Sequence, residues 1–162
     1  MHIARSLALG LLFLVPAFGL YAAADSPGPI APGSRWSLDP GVGCLIEASW
    51  DGDVRMELEP DFGSPGEYSL TLFSPAFETL APDQSVDFVS DEQDDHAASV
   101  SRKSGSSYGG RVFAGLLDGL ASTKSFKAYR DDVLITQLDM TGFAGALKAL
   151  RNCEVTPDPG KM

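Results

Sequence analysis

The sequence predicts an α+β, β-rich fold: an antiparallel sheet or sandwich of about six to eight strands closed by two helices. Three observations predict it. Short runs of alternating apolar and polar residues recur from residue 44 onward, separated by turn residues. The period turns helical in two places, Val112–Leu120 and Phe143–Cys153. Two cysteines, Cys44 and Cys153, stand at opposite ends of this pattern, where a bridge would pin the C-terminal helix to an early strand.

Residues 1–24 read as an export signal. His2 and Arg5 make a short cationic start, Leu7–Tyr21 is apolar, and Ala22-Ala23-Ala24 offers a small-x-small cleavage pattern. The apolar run is shorter than the roughly 20 residues of a membrane span and contains Pro16, so cleavage after Ala24 is expected rather than anchoring. No cysteine lies near the cut to carry a lipid, and no later stretch is long or apolar enough to cross a bilayer. The expected location is the periplasm or the extracellular space.

The chain carries a net charge of −10, and losing the signal removes one base, Arg5, and no acid, which lowers it to −11. Such charge repels phosphate backbones and anionic lipid, so nucleic acid is an unfavourable partner and a cationic protein a favourable one. Two cysteines far apart in an exported chain point to a disulfide rather than to a metal or redox motif. Closing a loop of about a hundred residues stabilises by up to ~4.7 kcal/mol in the chain-entropy account.

Residues 25–34 (DSPGPIAPGS) form a Pro/Gly/Ser-rich leader expected to be flexible, followed by a single domain over 35–154 with order beginning near Trp36. From Gly43, CLIEASW-DGD-VRMELE reads as a hairpin turning at Asp51-Gly52. Cys44, Ile46, Ala48 and Trp50 share one strand face, which aims the cysteine at the core. Glu67–Phe73 alternates cleanly as a half-buried strand. Pro75–Pro82 is a connection, and Ser85–Val89 and Ala97–Arg102 are short strands flanking the acidic loop Asp91–Asp95. Ser104–Gly110 is too rich in Ser and Gly for a regular element.

Val112, Phe113, Leu116, Leu117 and Leu120 then make a helical stripe, weakened by Gly115 and Gly119. Ser125–Arg130 and Val133–Met140 form a second hairpin about Asp131-Asp132. Thr141 is the expected N-cap of the closing helix, whose apolar positions are Phe143, Ala146, Leu147 and Leu150. The tail 155–162 should fray.

Catalytic signals are sparse, and no catalytic residue and no cofactor is expected. His96 is the one histidine left after signal removal. Gly105-Ser106-Ser107-Tyr108-Gly109 fits the G-x-S-x-G pattern of a nucleophile elbow, but no histidine follows Ser107 as the hydrolase order requires. A small serine hydrolase using Ser107 with His96 and Asp94 is therefore the alternative function. Asp91, Glu92, Asp94, Asp95 and His96 form an oxygen-rich cluster. Its metal candidates are Asp94, Asp95 and His96, although the glycine and distal glutamate of a calcium loop are missing, and a solvated acidic turn is the plainer reading. Trp36, Trp50, Phe62, Phe73 and Phe77 read as core before they read as a binding groove.

The C-terminal stretch 111–153 resembles the invasion-associated locus B family. A helix, a strand, a turn, a second strand and LDMTGFAGALKAL match the family's closing Leu-x-x-x-Gly-Phe-x-x-Ala-Leu run at Leu138, Gly142, Phe143, Ala146 and Leu147. The resemblance implies an exported bacterial β-sandwich-like domain and brings no catalytic residues. The function expected is non-enzymatic binding of another protein or an envelope component. Inhibition of a cationic hydrolase such as lysozyme is the narrower form that the charge suggests.

Overall fold

The computed structural model describes residues 28–41, 43–61, 63–90 and 97–153. Five strands come first as an antiparallel meander: β1 (Gly28–Pro29), β2 (Trp36–Asp39), β3 (Leu45–Trp50), β4 (Val54–Pro60) and β5 (Glu67–Phe73). A 3-10 turn, Pro75–Thr79, leads to β6 (Val86–Val89), β7 (Ala97–Ser104) and β8 (Ser107–Phe113). Helix α1 (Ala114–Thr123), strands β9 (Ser125–Arg130) and β10 (Val133–Asp139) and helix α2 (Phe143–Arg151) complete the described residues.

The ten strands of the described residues form one curled antiparallel sheet, in the order β1-β2-β3-β4-β5-β8-β7-β6-β9-β10. The second half is laid down in reverse, because β8 returns to pair with β5 and α1 then carries the chain past β7 and β6 to β9. The single sheet settles the choice between sheet and sandwich. The strand count exceeds the expected six to eight because β1 and β2 are only two and four residues long and β8 begins in a Ser/Gly-rich stretch. Pairing also starts inside the segment read as a leader, where Gly28 and Pro29 oppose Leu38 and Ser37.

The main correction concerns Ser104–Gly110. Gly105 and Ser106 make a tight turn, but Ser107–Gly110 forms the first half of β8, a central strand between β5 and β7. Gly109 is there because nothing larger fits. A Cβ on it would lie 2.6 Å from the Leu70 carbonyl oxygen and 2.8 Å from Thr71 Oγ1. Residues that usually break strands here let two backbones approach. The helical stripe is corrected in the same way. Val112 is buried as a strand residue opposite Tyr68, Phe113 is exposed, and α1 starts only at Ala114.

Elsewhere the patterns hold. Ile46, Ala48, Met56, Leu58, Leu70 and Leu72 turn one sheet face inward and bury it fully. Leu116, Leu117 and Leu120 of α1 and Phe143, Ala146, Leu147 and Leu150 of α2 cover that face as two packed helices. Each large side chain so buried contributes about 2 kcal/mol relative to exposure. The hairpin at Asp131-Asp132 forms as read, with both residues at positive φ (47° and 63°), as its tight turn requires. The first hairpin needs three loop residues, Asp51–Asp53, between the paired Trp50 and Val54.

Cys44 and Cys153 are bridged, with Cα atoms 5.9 Å apart. Cys44 sits at φ 64° just before β3 and is fully buried, while Cys153 follows α2. The bridge thus fastens the C-terminal helix to an early strand, as the two lone cysteines implied. Among the described residues no helix is long and apolar enough to cross a membrane.

Candidate functional site

The surface with the most varied chemistry lies where the early strands meet the junction of β10 and α2. Alternation puts Trp50 on the core face with Ile46 and Ala48, but it is the last residue of β3 and reaches the rim half-exposed. Trp36, at the start of β2, is buried beneath it. The two rings meet edge to face at 5.8 Å, and Trp36 leans on Phe143 of α2 at 5.0 Å. Each indole N–H finds a carbonyl beyond β9: Trp50 donates to Asp139 at 3.0 Å and Trp36 to Thr141 at 3.2 Å.

Charged groups surround this aromatic pair. The Arg35 guanidinium stands over the Trp50 ring at 5.4 Å. The Asp139 carboxylate accepts from the Thr141 hydroxyl at 2.6 Å and from its backbone N–H at 2.9 Å. Those two bonds hold the Asp139 carboxyl below its usual range, with Arg35 and Lys124 adding to the effect. They also explain why Thr141 is not the N-cap of α2. Its side chain is committed to Asp139, and Gly142 at φ 89° takes the cap position with no side-chain bond to the helix.

Three open hollows lie side by side along this rim. One of about 470 Å³ lies between Pro32, Arg35, Asp139 and Gly142; the next, about 590 Å³, between Ser34, Arg35, Trp50 and Asp139; the third, about 320 Å³, between Trp50, Asp53 and Arg55. Arg35 and Asp139 line both of the first two and Trp50 both of the last two, and we term the surface they border the groove. Its walls offer an indole ring, two guanidinium groups and carboxylates, of which that of Asp139 is fixed by Thr141. That combination suits a polar or charged protein surface better than a buried small molecule. A separate hollow of about 520 Å³ lies by Glu59, Ser69, Lys103 and Arg111, where Arg111 meets Asp61 at 2.9 Å.

The sequence-derived site residues fare differently. Ser107 is buried at 2% exposure in β8, its hydroxyl 2.8 Å from that of Ser104. Its G-x-S-x-G pattern falls on a hairpin turn and a strand, not on the strand-to-helix elbow that exposes a nucleophile. His96 and Asp94, its proposed companions, lie outside the described residues, as do Asp91, Glu92 and Asp95 of the metal cluster. No group of three or more His, Cys, Asp or Glu is placed to hold a metal among the described residues. Of the aromatics, Trp36 and Phe77 are core; Trp50 lines the groove, and Phe73 lies half-buried under Arg55 at 4.1 Å. Phe62 lies outside the described residues. Arg35 and Asp139 went unnoticed because nothing local marks either. Trp50 could have been found from its place at a strand end beside Asp51-Gly52-Asp53.

No family model matches the sequence. No curated protein matches it either. Among solved structures, the chain is similar to invasion associated protein B from Bartonella henselae. The two are 17% identical over 72% of this chain and 92% of that one, with a TM-score of 0.59. The likeness is therefore one of fold, and it runs through most of the chain instead of stopping at the stretch 111–153 that the sequence alone matched.

Proposed function

We propose that this chain is an exported, non-enzymatic protein that binds another protein or a component of the cell envelope through the Arg35–Trp50–Asp139 groove. The observation that carries the reading is the groove itself: a half-exposed tryptophan under a guanidinium, beside a carboxylate held ionised by two hydrogen bonds. Fixed groups of opposite charge around an aromatic edge are what specific protein contact uses. The N-terminal signal pattern supports export to the periplasm or beyond the cell, and the disulfide agrees with an oxidising compartment. The fold likeness to invasion associated protein B is in keeping with an envelope role.

The experiment is retention of partners from envelope extract on the immobilised protein, compared with a Trp50→Ala, Arg35→Glu double variant. A partner held at low salt by the parent and lost by the variant is the expected result. Retention of nothing, or of the same set by both, sinks the groove reading. Net charge alone favours the narrower form, inhibition of a cationic hydrolase. Lysozyme turning over unslowed at every ratio removes that form.

A further inference from the structure

A sheet that stops short of closure has two edges, each with unpaired backbone donors and acceptors. The two edges here are unlike. Within the described residues β1 is two residues long and includes Pro29, which has no N–H, so that stretch offers a partner little to pair with. β10 runs for seven residues and pairs with β9 along one side. Val133 is 65% exposed and Leu134 46%, two of the three large apolar side chains left open among the described residues. Neighbouring residues point to opposite faces of a strand, so this end of β10 is apolar and open on both.

Among the described residues β9 is the only strand that pairs with β10, with the turn Pro75–Thr79 packed close to it. The turn Asp131-Asp132 is closed by Arg130 and Val133. In a two-residue hairpin the closing pair exchanges both of its hydrogen bonds, so the next pair, Tyr129 and Leu134, directs its amides and carbonyls outward. The Leu134 N–H and C=O therefore face the open side. Beyond it the register shifts between Leu134 and Thr136, an irregularity that twists the edge and confines any added strand to the Val133–Leu134 end.

Charge selects the partner. The turn sets two carboxylates against one guanidinium, with Arg130 Nε 3.2 Å from Asp131 Oδ2 and the Asp131 side chain 83% exposed. With a net charge of −10, a second copy approaches against repulsion and a cationic chain with attraction. We propose that the free edge of β10 takes an extended segment of another protein as an added strand. That segment carries Lys or Arg beside the Asp131-Asp132 turn and apolar or β-branched residues along Val133 and Leu134. This surface is separate from the groove and stands whether or not the groove binds.

The test uses the full chain, disulfide intact, with a fluorescent peptide of two lysines followed by alternating valine and threonine. Binding at low salt that weakens about tenfold at physiological salt, with slowed amide exchange at Leu134, is the expected result. Leu134→Pro removes the outward N–H at an edge position and should weaken binding about tenfold. Val133→Lys leaves the backbone intact, repels the peptide and should do the same with an unchanged thermal midpoint. Replacing the peptide's lysines by glutamates should abolish binding. The proposal is overturned by absence of binding at low salt, by equal binding of the acidic peptide, or by affinity indifferent to Val133→Lys. A dimer in sedimentation that Val133→Lys dissolves also overturns it, by making a second copy the occupant.

Discussion

The indole N–H of Trp50 donates to the backbone carbonyl of Asp139 at 3.0 Å, joining residues 89 positions apart. Trp36 does the same for Thr141 across 105 positions. The pair ties the start of β2 and the end of β3 to the point where β10 gives way to α2. A bond of this kind contributes about 1 kcal/mol net. Trp50→Phe keeps an aromatic ring and deletes the donor, so stability should fall by about that amount. A urea titration reads it as a lower midpoint at unchanged slope. An unmoved midpoint would mean that water replaces the indole at no cost.

Reducing the Cys44–Cys153 bridge releases α2 from the sheet at its far end. Loss of a native disulfide from a domain of this size costs about 2–5 kcal/mol. Thermal unfolding with and without reductant measures the loss, and Cys153→Ser should match the reduced parent. Hydrogen exchange should then open α2 before the β4–β5–β8 centre of the sheet. Uniform opening would show that the helix does not depend on its anchor.

Two glycines should respond oppositely to alanine. At Gly109 the new methyl meets the Leu70 carbonyl oxygen at 2.6 Å with strand backbone on both sides, and overpacking of that kind costs about 1–3 kcal/mol. At Gly145, exposed within α2, nothing lies within 4 Å. There alanine should stabilise by roughly 0.5–1 kcal/mol through helix propensity. Denaturant midpoints of the two variants, moving in opposite directions, check the pair.

Asp139 should titrate below an ordinary aspartate because the Thr141 hydroxyl and N–H both favour its charged form. A carboxyl with a depressed folded-state pKa stabilises the fold above its unfolded value, and that contribution is lost as the pH falls through the lowered one. Thr141→Val removes the larger cause and should move the carboxyl's midpoint, followed by its carbon chemical shift, back toward 3.8. Acid should then destabilise the variant less than the parent.

Ser107 should not label with a fluorophosphonate. Its hydroxyl faces that of Ser104 within the sheet, and no base reaches it among the described residues. Labelling that Ser107→Ala abolishes would restore the hydrolase reading.

The elements legible in the sequence were those whose own residues carry the signal. β4 and β5 alternate, α2 shows its stripe, and the Asp131-Asp132 turn announces its hairpin. β8 was not legible because its reason lies in its neighbours. Gly109 and Gly110 look like breakers until β5 and Val100 of β7 are seen pressing on them. The N-cap was misplaced for a related cause: Thr141 fits the rule, but Asp139 two residues earlier claims its hydroxyl. The groove was less visible still. Arg35, Trp50 and Asp139 come from three separate segments, and only the curl of the sheet brings them together.

The staple also dates itself. A chain emerging from its N-terminal end has shown Cys44 and every strand before Cys153 appears. The bond therefore cannot form before the chain through α2 has emerged. A copy that stops short of residue 153 keeps a lone thiol with no helix end to cap it. Such a truncated copy carries one thiol that a thiol reagent counts after unfolding, where the full chain has none.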